Sequence, residues 1–262
     1  MSAGLRLLRR SALFLGLPVV LVGVWWFTSA NSTNPYWPPL SNILTAFRET
    51  WLGDALVDDV VPSLARLAIG YGAALVVGVG FGLLIGSNRW LRSLLEPVLE
   101  FLRAIPPPVL VPIVILVAGI DDLMKVIVIV SGVVWPILLN TVEGVRGADE
   151  VLADTCRSYR IGGLLRLRQF VLRAASPQIM TGARQGLAIA IILMVISELK
   201  ASTNGLGYRI VDLQRLFLIT PMWSGVLLLG IIGVTLSLLF RLVESRVLNW
   251  YHGVRAAERI SP

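Results

Sequence analysis

Hydrophobic positions gather into six runs, near residues 12–28, 64–86, 108–119, 123–140, 185–199 and 222–240. A helix crossing a bilayer needs about 20 predominantly apolar residues, and most of these runs meet that length. The third is too short alone. It either borrows from Arg103 to Pro107 or forms a broken helix, so the pattern predicts an all-α membrane protein with about six spans, five as the fallback. Residues 1–30 form a short polar stub and the first span, and residues 31–62 an external segment. The core covers 63–250, and 251–262 form a tail. The external segment opens on the turn-rich Asn34-Pro35-Tyr36-Trp37-Pro38-Pro39 and carries a short helix from Ser41 to Leu52, with Ser41 as its N-cap.

The longest polar interval, about 144–182, reads as two short helices joined by Gly162-Gly163. In the first, Leu152, Thr155, Cys156 and Tyr159 share a face by helical spacing, with Glu150, Asp154 and Arg157 off it. The second, Leu164 to Leu172, alternates leucine with Arg166 and Arg168 and ends before Ala174-Ala175-Ser176-Pro177. A pair this short spans nothing. It must lie at the surface, its apolar stripe meeting its own bundle or a partner.

Inside the second run Gly70, Ala74, Gly78, Gly82 and Gly86 recur every four residues, a face with almost no side chain. In lipid such small-residue faces mark close helix contacts, and the spacing serves either static packing or a sliding surface for gating. Prolines crowd the next region at Pro97, Pro106, Pro107, Pro108 and Pro112. Irregular backbone at membrane depth survives only against protein or a water-filled cavity. Arg103 to Pro112 is therefore a candidate pathway lining, with a re-entry turn at the cytoplasmic surface as the other reading. Arg184 and Glu198 bracket the fifth span as candidate gating charges, and Lys125, Asp121 and Asp122 sit at the outer end of the fourth. All are near enough to an interface for solvated ends.

Composition agrees with this pattern. Hydrophobic residues make up 56% and charged ones 15%, at a mean hydropathy of +0.78, against about 45–50% and about 25% in soluble domains. With the N-terminus in the cytoplasm, every basic residue except Arg48, Arg66, Lys125, Lys200, Arg209 and Arg215 falls inside, as the positive-inside rule requires. Both termini are then cytoplasmic. The same rule explains the pI near 10.3 without nucleic acid. Arg6, Arg9 and Arg10 before an apolar run ending in Thr28-Ser29-Ala30 also fit a cleavable leader, whereas Trp25, Trp26 and Phe27 favour a retained span.

One cysteine, Cys156, and one histidine, His252, exclude an intrachain disulfide and a metal cluster. Neither Lys125 nor Lys200 follows a glycine, so no phosphate-cradling loop exists and any ATP chemistry belongs to another chain. No buried acids form a proton relay and no repeat relates two halves, features that a secondary transporter would show. A membrane-embedded enzyme would need converging nucleophile, base or metal groups, and none is visible.

Several stretches together resemble one family. They are Ser63-Leu64-Ala65-Arg66; Pro97 with Phe101-Leu102-Arg103-Ala104-Ile105-Pro106; Val111-Pro112 through Gly119-Ile120; Thr181-Gly182-Ala183-Arg184; Glu198; Gly205-Leu206-Gly207-Tyr208; and Glu244 through Trp250. In order and spacing, from about Pro38 to Trp250, they resemble binding-protein-dependent ABC importer permeases of the type I fold, in the nitrate, taurine and alkanesulfonate branch. That family's loop signature is Glu-Ala-Ala, three residues, Gly, nine residues, Ile, one residue, Leu-Pro. It falls here on Asp154, Thr155 and Cys156, on Arg160 for the glycine, Phe170 for the isoleucine, Leu172 retained and Arg173 for the proline. Placing Gly162 in the glycine role would spoil the remaining spacing.

The resemblance implies a coupling loop of Leu152, Asp154, Thr155, Cys156, Arg157, Tyr159, Arg160, Gly162, Gly163 and Leu172. It also implies a non-catalytic permease in a bacterial plasma membrane, with no cofactor of its own. Its partners would be a cytoplasmic ATPase dimer carrying ATP and Mg, a second equal or paralogous permease, and an extracytoplasmic solute-binding protein. Sulfonates or nitrate follow from the branch alone.

Overall fold

The computed structural model describes the backbone of residues 3–200 and 202–251 and the side chains of 16–200 and 202–251. The tail beyond Tyr251, with His252, Arg255 and Arg259, lies outside the described residues. The chain folds into α1 (Ala3–Ser29), α2 (Leu40–Trp51), α3 (Val61–Ser87), α4 (Arg89–Arg103), α5 (Val111–Ala118), α6 (Asp122–Arg146), α7 (Glu150–Ser158), α8 (Gly163–Arg166), α9 (Leu172–Lys200), α10 (Leu206–Arg215) and α11 (Ile219–Val247). A π-helical turn, Leu56–Val60, leads into α3, and another, Leu167–Val171, joins α8 to α9.

Among the described residues four helical stretches are long and apolar enough to cross a membrane: Leu56–Ser87, Asp122–Arg146, Gly163–Lys200 and Ile219–Val247. A fifth span exists if α4 and α5, bent by 78° across the proline break, count as one. This is the broken helix expected of the short third run. A sixth span would rest on α1, whose described apolar part, Gly16–Ser29, is shorter than a span.

The bundle is organised around α6. On one side α3 runs parallel to it, because the four glycines of the small-residue face meet larger side chains of α6 in the same order. A Cβ built on Gly70 or Gly78 would lie 2.8 Å from Ile129 Cγ2 or Ile137 Cγ2, one on Gly82 2.5 Å from Thr141 Cβ, and one on Gly86 2.8 Å from Val145 Cβ. The face is a contact within the chain. On its other side α6 meets α9 running antiparallel, since Gly186 faces Val133 and Ile137 while Gly182 abuts the carbonyl of Pro136. The three helices share one core, with Ala74, Val128, Val133, Ala190 and Met194 fully enclosed.

This geometry gives the bundle two ends. Ser87, Arg146 and α7 lie at one, and Asp59, Asp121 and α10 at the other. At the α10 end, α2 packs on α11 through a buried Trp51 whose Nε1 donates to Ser224 Oγ at 2.9 Å. Trp25, Trp37 and Trp223 meet there with ring centroids 5.7–6.0 Å apart, tying α1 and the turn-rich segment to α11.

Two sequence expectations change. The N-cap of α2 is Pro39, with no side-chain cap, and Ser41 lies inside the helix. Pro177 does not end the second loop helix; α8, the π turn and α9 run as one helical stretch from Gly163 to Lys200. Proline removes the N–H that would reach the carbonyl of Arg173, and Ser176 Oγ donates to that carbonyl instead, at 2.8 Å.

Candidate functional site

Three places bring chemistry together. At the α10 end, four elements converge on a network in which Asp59, Arg66, Lys125 and Glu198 are buried and Asp122 is exposed. Arg66, one turn into α3, donates from Nη1 to Glu198 Oε1 at 2.8 Å and from Nε to Asp122 Oδ1 at 2.7 Å. Its Nη2 donates to Asn204 Oδ1 at 2.6 Å, and Nη1 also reaches the Asn204 carbonyl. Glu198, at the end of α9, accepts a second bond from Gly207 N–H at 2.9 Å. Ser63 Oγ lies 2.7 Å from Glu198 Oε1 and 2.9 Å from the Asp59 carbonyl, so its single proton serves one of them while it accepts from Leu206 N–H. Asp59 accepts from Gly205 N–H at 2.8 Å, and Lys125 Nζ lies 3.4 Å from Asp122 Oδ1.

The side chains of Arg66 and Glu198 are 4% and 0% exposed. The expectation of solvated ends therefore fails for Glu198 and for Lys125, which is buried as well. Ions taken out of water persist when geometry is good and remaining donors are satisfied, and at Arg66 all three guanidinium nitrogens are bonded. It also explains the glycines of the α10 entry. Gly205 adopts φ +119°, and a Cβ on it would overlap the Glu198 carboxyl carbon at 2.6 Å. Arg66 and Ser63 were missed as partners of Glu198, Asp122 and Asn204 as partners of Arg66, and Asp59 as the acceptor for Gly205. The signal that could have found them is a charge within the second apolar run matched by an opposite charge closing the fifth.

At the other end α7 starts on Asp149, whose carboxylate caps the N–H groups of Val151 and Leu152. Ala153 and Cys156 turn toward the bundle, while Val151, Leu152, Thr155 and Tyr159 face out. Tyr159 is 77% exposed, and Leu164 and Leu165 of α8 continue the apolar surface. Asp154 pairs with Arg157 at 2.6 Å on the exposed side. The helix ends in a Schellman turn: Ile161 N–H reaches the Cys156 carbonyl at 2.8 Å and Arg160 N–H that of Arg157 at 3.0 Å. Arg160 therefore takes φ +54°, a left-handed position, where the family signature has glycine. Gly162 is extended, Gly163 takes φ +58°, and Leu172 opens α9. Beneath the loop a cavity of about 380 Å³ is lined by Gly86, Val145, Glu150, Ala153, Arg166 and Phe170 among others.

The third place is the α4–α5 break. Pro107 packs where a Cβ on Gly132 would fall 2.8 Å from its Cγ. Gly132 is ten residues into α6, about 15 Å from its start at 1.5 Å per residue, half of a hydrocarbon core about 30 Å thick. The break thus sits at mid-bundle. Arg103 pairs with Glu100, Nε to Oε2 at 2.8 Å, and Pro106 and Pro112 are exposed. Arg184 is not part of this region; it pairs with Glu244 of α11.

The profile of the family described as "Binding-protein-dependent transport system inner membrane component" matches residues 78–249. The putative aliphatic sulfonates transport permease protein SsuC of Bacillus subtilis is 29% identical over 89% of this chain and 86% of its own length. The taurine transport system permease protein TauC of Escherichia coli is 27% identical over 94% and 92%. The nitrate import permease protein NrtB of Synechocystis is 30% identical over 72% and 68%. With its spans bundled around α6 and matched over most of its length, the chain belongs to the binding-protein-dependent inner membrane components and is a multi-pass permease subunit of an ATP-driven importer.

Proposed function

We propose that this permease passes a small oxyanion, such as a sulfonate or nitrate, and lies in the membrane with its α7 end in the cytoplasm. A separate ATPase dimer docks there on Val151, Leu152, Thr155, Tyr159, Leu164 and Leu165. A second permease, identical or paralogous, completes the passage, and an extracytoplasmic solute-binding protein delivers substrate at the α10 end. The names of the sulfonate, taurine and nitrate relatives support the substrate class.

The observation that carries the coupling reading is the unbroken helical stretch Gly163–Lys200. It begins under the exposed apolar surface of the loop and ends at Glu198 in the charge network. Displacement of the loop by the ATPase therefore moves a lever fixed to α3, α6 and α10 at its far end. The cavity beneath α7 gives the loop room to approach the bundle.

The test is docking. Tyr159→Ala removes the largest exposed apolar side chain of α7, and the loss of a central anchor is worth about 1–3 kcal/mol. Combined with Asp154→Arg, it should leave an inserted, stable permease that co-purifies poorly with its ATPase and transports little. Wild-type co-purification and transport in the double variant would move the docking surface elsewhere.

A further inference from the structure

The helix α4 has three faces. Leu91, Leu95 and Leu99 pack against the cluster of Ile85, Leu138 and Val142. Trp90, Leu94, Val98 and Phe101 form an exposed apolar flank. On the opposite flank Arg92, Glu96, Glu100 and Arg103 follow one another at helical spacing, the last three exposed. The helix starts beside the α7 end, directly after α3, and leads to Pro107 at the level of Gly132. Arg103 consequently lies between the Leu138–Val142 level and mid-bundle, in the inner half of the membrane under the proposed orientation.

A charged stripe climbing to that depth cannot face hydrocarbon cheaply, and intramembrane ionisable groups face protein or water. The elbow adds a second observation. With proline at 106, 107 and 108 there is no N–H to meet the carbonyls of Arg103 and Ala104, and among the described residues no hydrogen bond reaches either one or that of Ile105. Exposed carbonyls at membrane depth are tolerated only where they line a wet cavity or are buried in protein.

We infer that the Arg92, Glu96, Glu100 and Arg103 stripe and the elbow after it line the inner half of the transport path, with Arg103 as the group that binds the oxyanion in transit. This rests on the importer reading above. Glu100 holds the guanidinium while the path is empty, and the anion displaces that carboxylate. The pairing keeps the site neutral between passages and keeps Arg103 from trapping the anion. The unpaired carbonyls beside it repel an anion and favour its release toward the α7 end.

The inference is tested on the permease assembled with its ATPase in proteoliposomes, in a Cys156→Ser background. Single cysteines replace Glu100, Arg103, Leu94 or Val98, and a membrane-impermeant thiosulfonate is applied from the ATPase side. Glu100→Cys and Arg103→Cys should label much faster than Leu94→Cys and Val98→Cys, and slow when a non-hydrolysable ATP analogue closes the inner side. Equal rates on both flanks, or a rate at position 103 unchanged by the nucleotide, would make α4 a surface helix and overturn the lining.

The oxyanion role is read from uptake of ethanesulfonate with its binding protein. Arg103→Gln should lower it about ten- to a hundredfold, the range for a lost hydrogen bond to a charged group, with ATPase co-purification unchanged and Arg103→Lys recovering most of it. Wild-type uptake by Arg103→Gln would overturn that role. If the wild-type complex moves no sulfonate, the substrate reading falls and the anion role with it, while labelling separately decides the lining.

Discussion

Arg160 and Phe217 hold the same unusual conformation for the same reason. Each follows a helix that closes with a Schellman turn, α7 in one case and α10 in the other, where Leu218 N–H reaches the Leu213 carbonyl at 2.9 Å and Phe217 N–H that of Gln214 at 3.0 Å. The turn needs a left-handed residue, which glycine adopts freely and an L-residue adopts at about 1–2 kcal/mol. Both positions carry side chains, at φ +54° and +56°. At Arg160 the consequence is testable, because the residue lies beside the proposed docking surface but is not one of its apolar contacts. Arg160→Gly should stabilise the end of α7 by about 1 kcal/mol, a factor of about five in local opening. Slower amide exchange at Tyr159 and Ile161 would show it; faster exchange would mean that the guanidinium contributes more than the strain costs. The sequence alone pointed to this residue through spacing, with Arg160 standing where a glycine belongs, while the turn that explains it needed the backbone.

Among the elements, those with a strict period were legible and those held by side-chain substitution were not. The four-residue repeat from Gly70 to Gly86 announced a close helix contact, and α6 fills it. Pro177 read as a stop because nothing in a hydropathy pattern reveals that Ser176 will supply the missing donor. The charge network was half legible. Glu198 and the Gly205-Leu206-Gly207 entry stood out separately, but their partner Arg66 passed as a span-edge charge, since its burial follows from three helices meeting rather than from its own neighbours in sequence. That network links α3, α6, α9 and the entry to α10. Glu198→Ala would leave Arg66 buried and short of its carboxylate, a change that costs about 3–5 kcal/mol for a buried pair. A large fall in the thermal unfolding midpoint of the detergent-solubilised permease is the expected result. A small fall would show that Asp122 and Asn204 hold Arg66 unaided, and that Glu198 is dispensable to the junction.

For the whole molecule the remaining choice is which end faces the cytoplasm, and the distribution of basic residues supports the proposed orientation. Of the six basic residues assigned outside, Arg66 and Lys125 are buried against carboxylates, and Arg209 lies 4.0 Å from Asp59. The α7 end, by contrast, presents Arg89, Arg157, Arg160, Arg168 and Arg173 on exposed positions. The orientation rule counts basic residues near the span ends, since these resist translocation, and this is the ground for proposing the α7 end as the cytoplasmic one. Because α3 and α6 are parallel and α9 is antiparallel to both, the assignment is all or none for the core: no single span can be inverted without separating the glycine face from Ile129 and Ile137. Single cysteines at Thr33 and Asp121, in a Cys156→Ser background, should therefore react with an impermeant maleimide added to intact cells, and those at Ser93 and Ser158 only after the membrane is opened. All four positions are exposed and outside the charge network. Reaction of Ser158→Cys in intact cells would invert the molecule and place the proposed ATPase surface on the wrong side. Reaction of both Asp121→Cys and Ser158→Cys from one side would instead mean that α6, which separates them, does not cross the membrane.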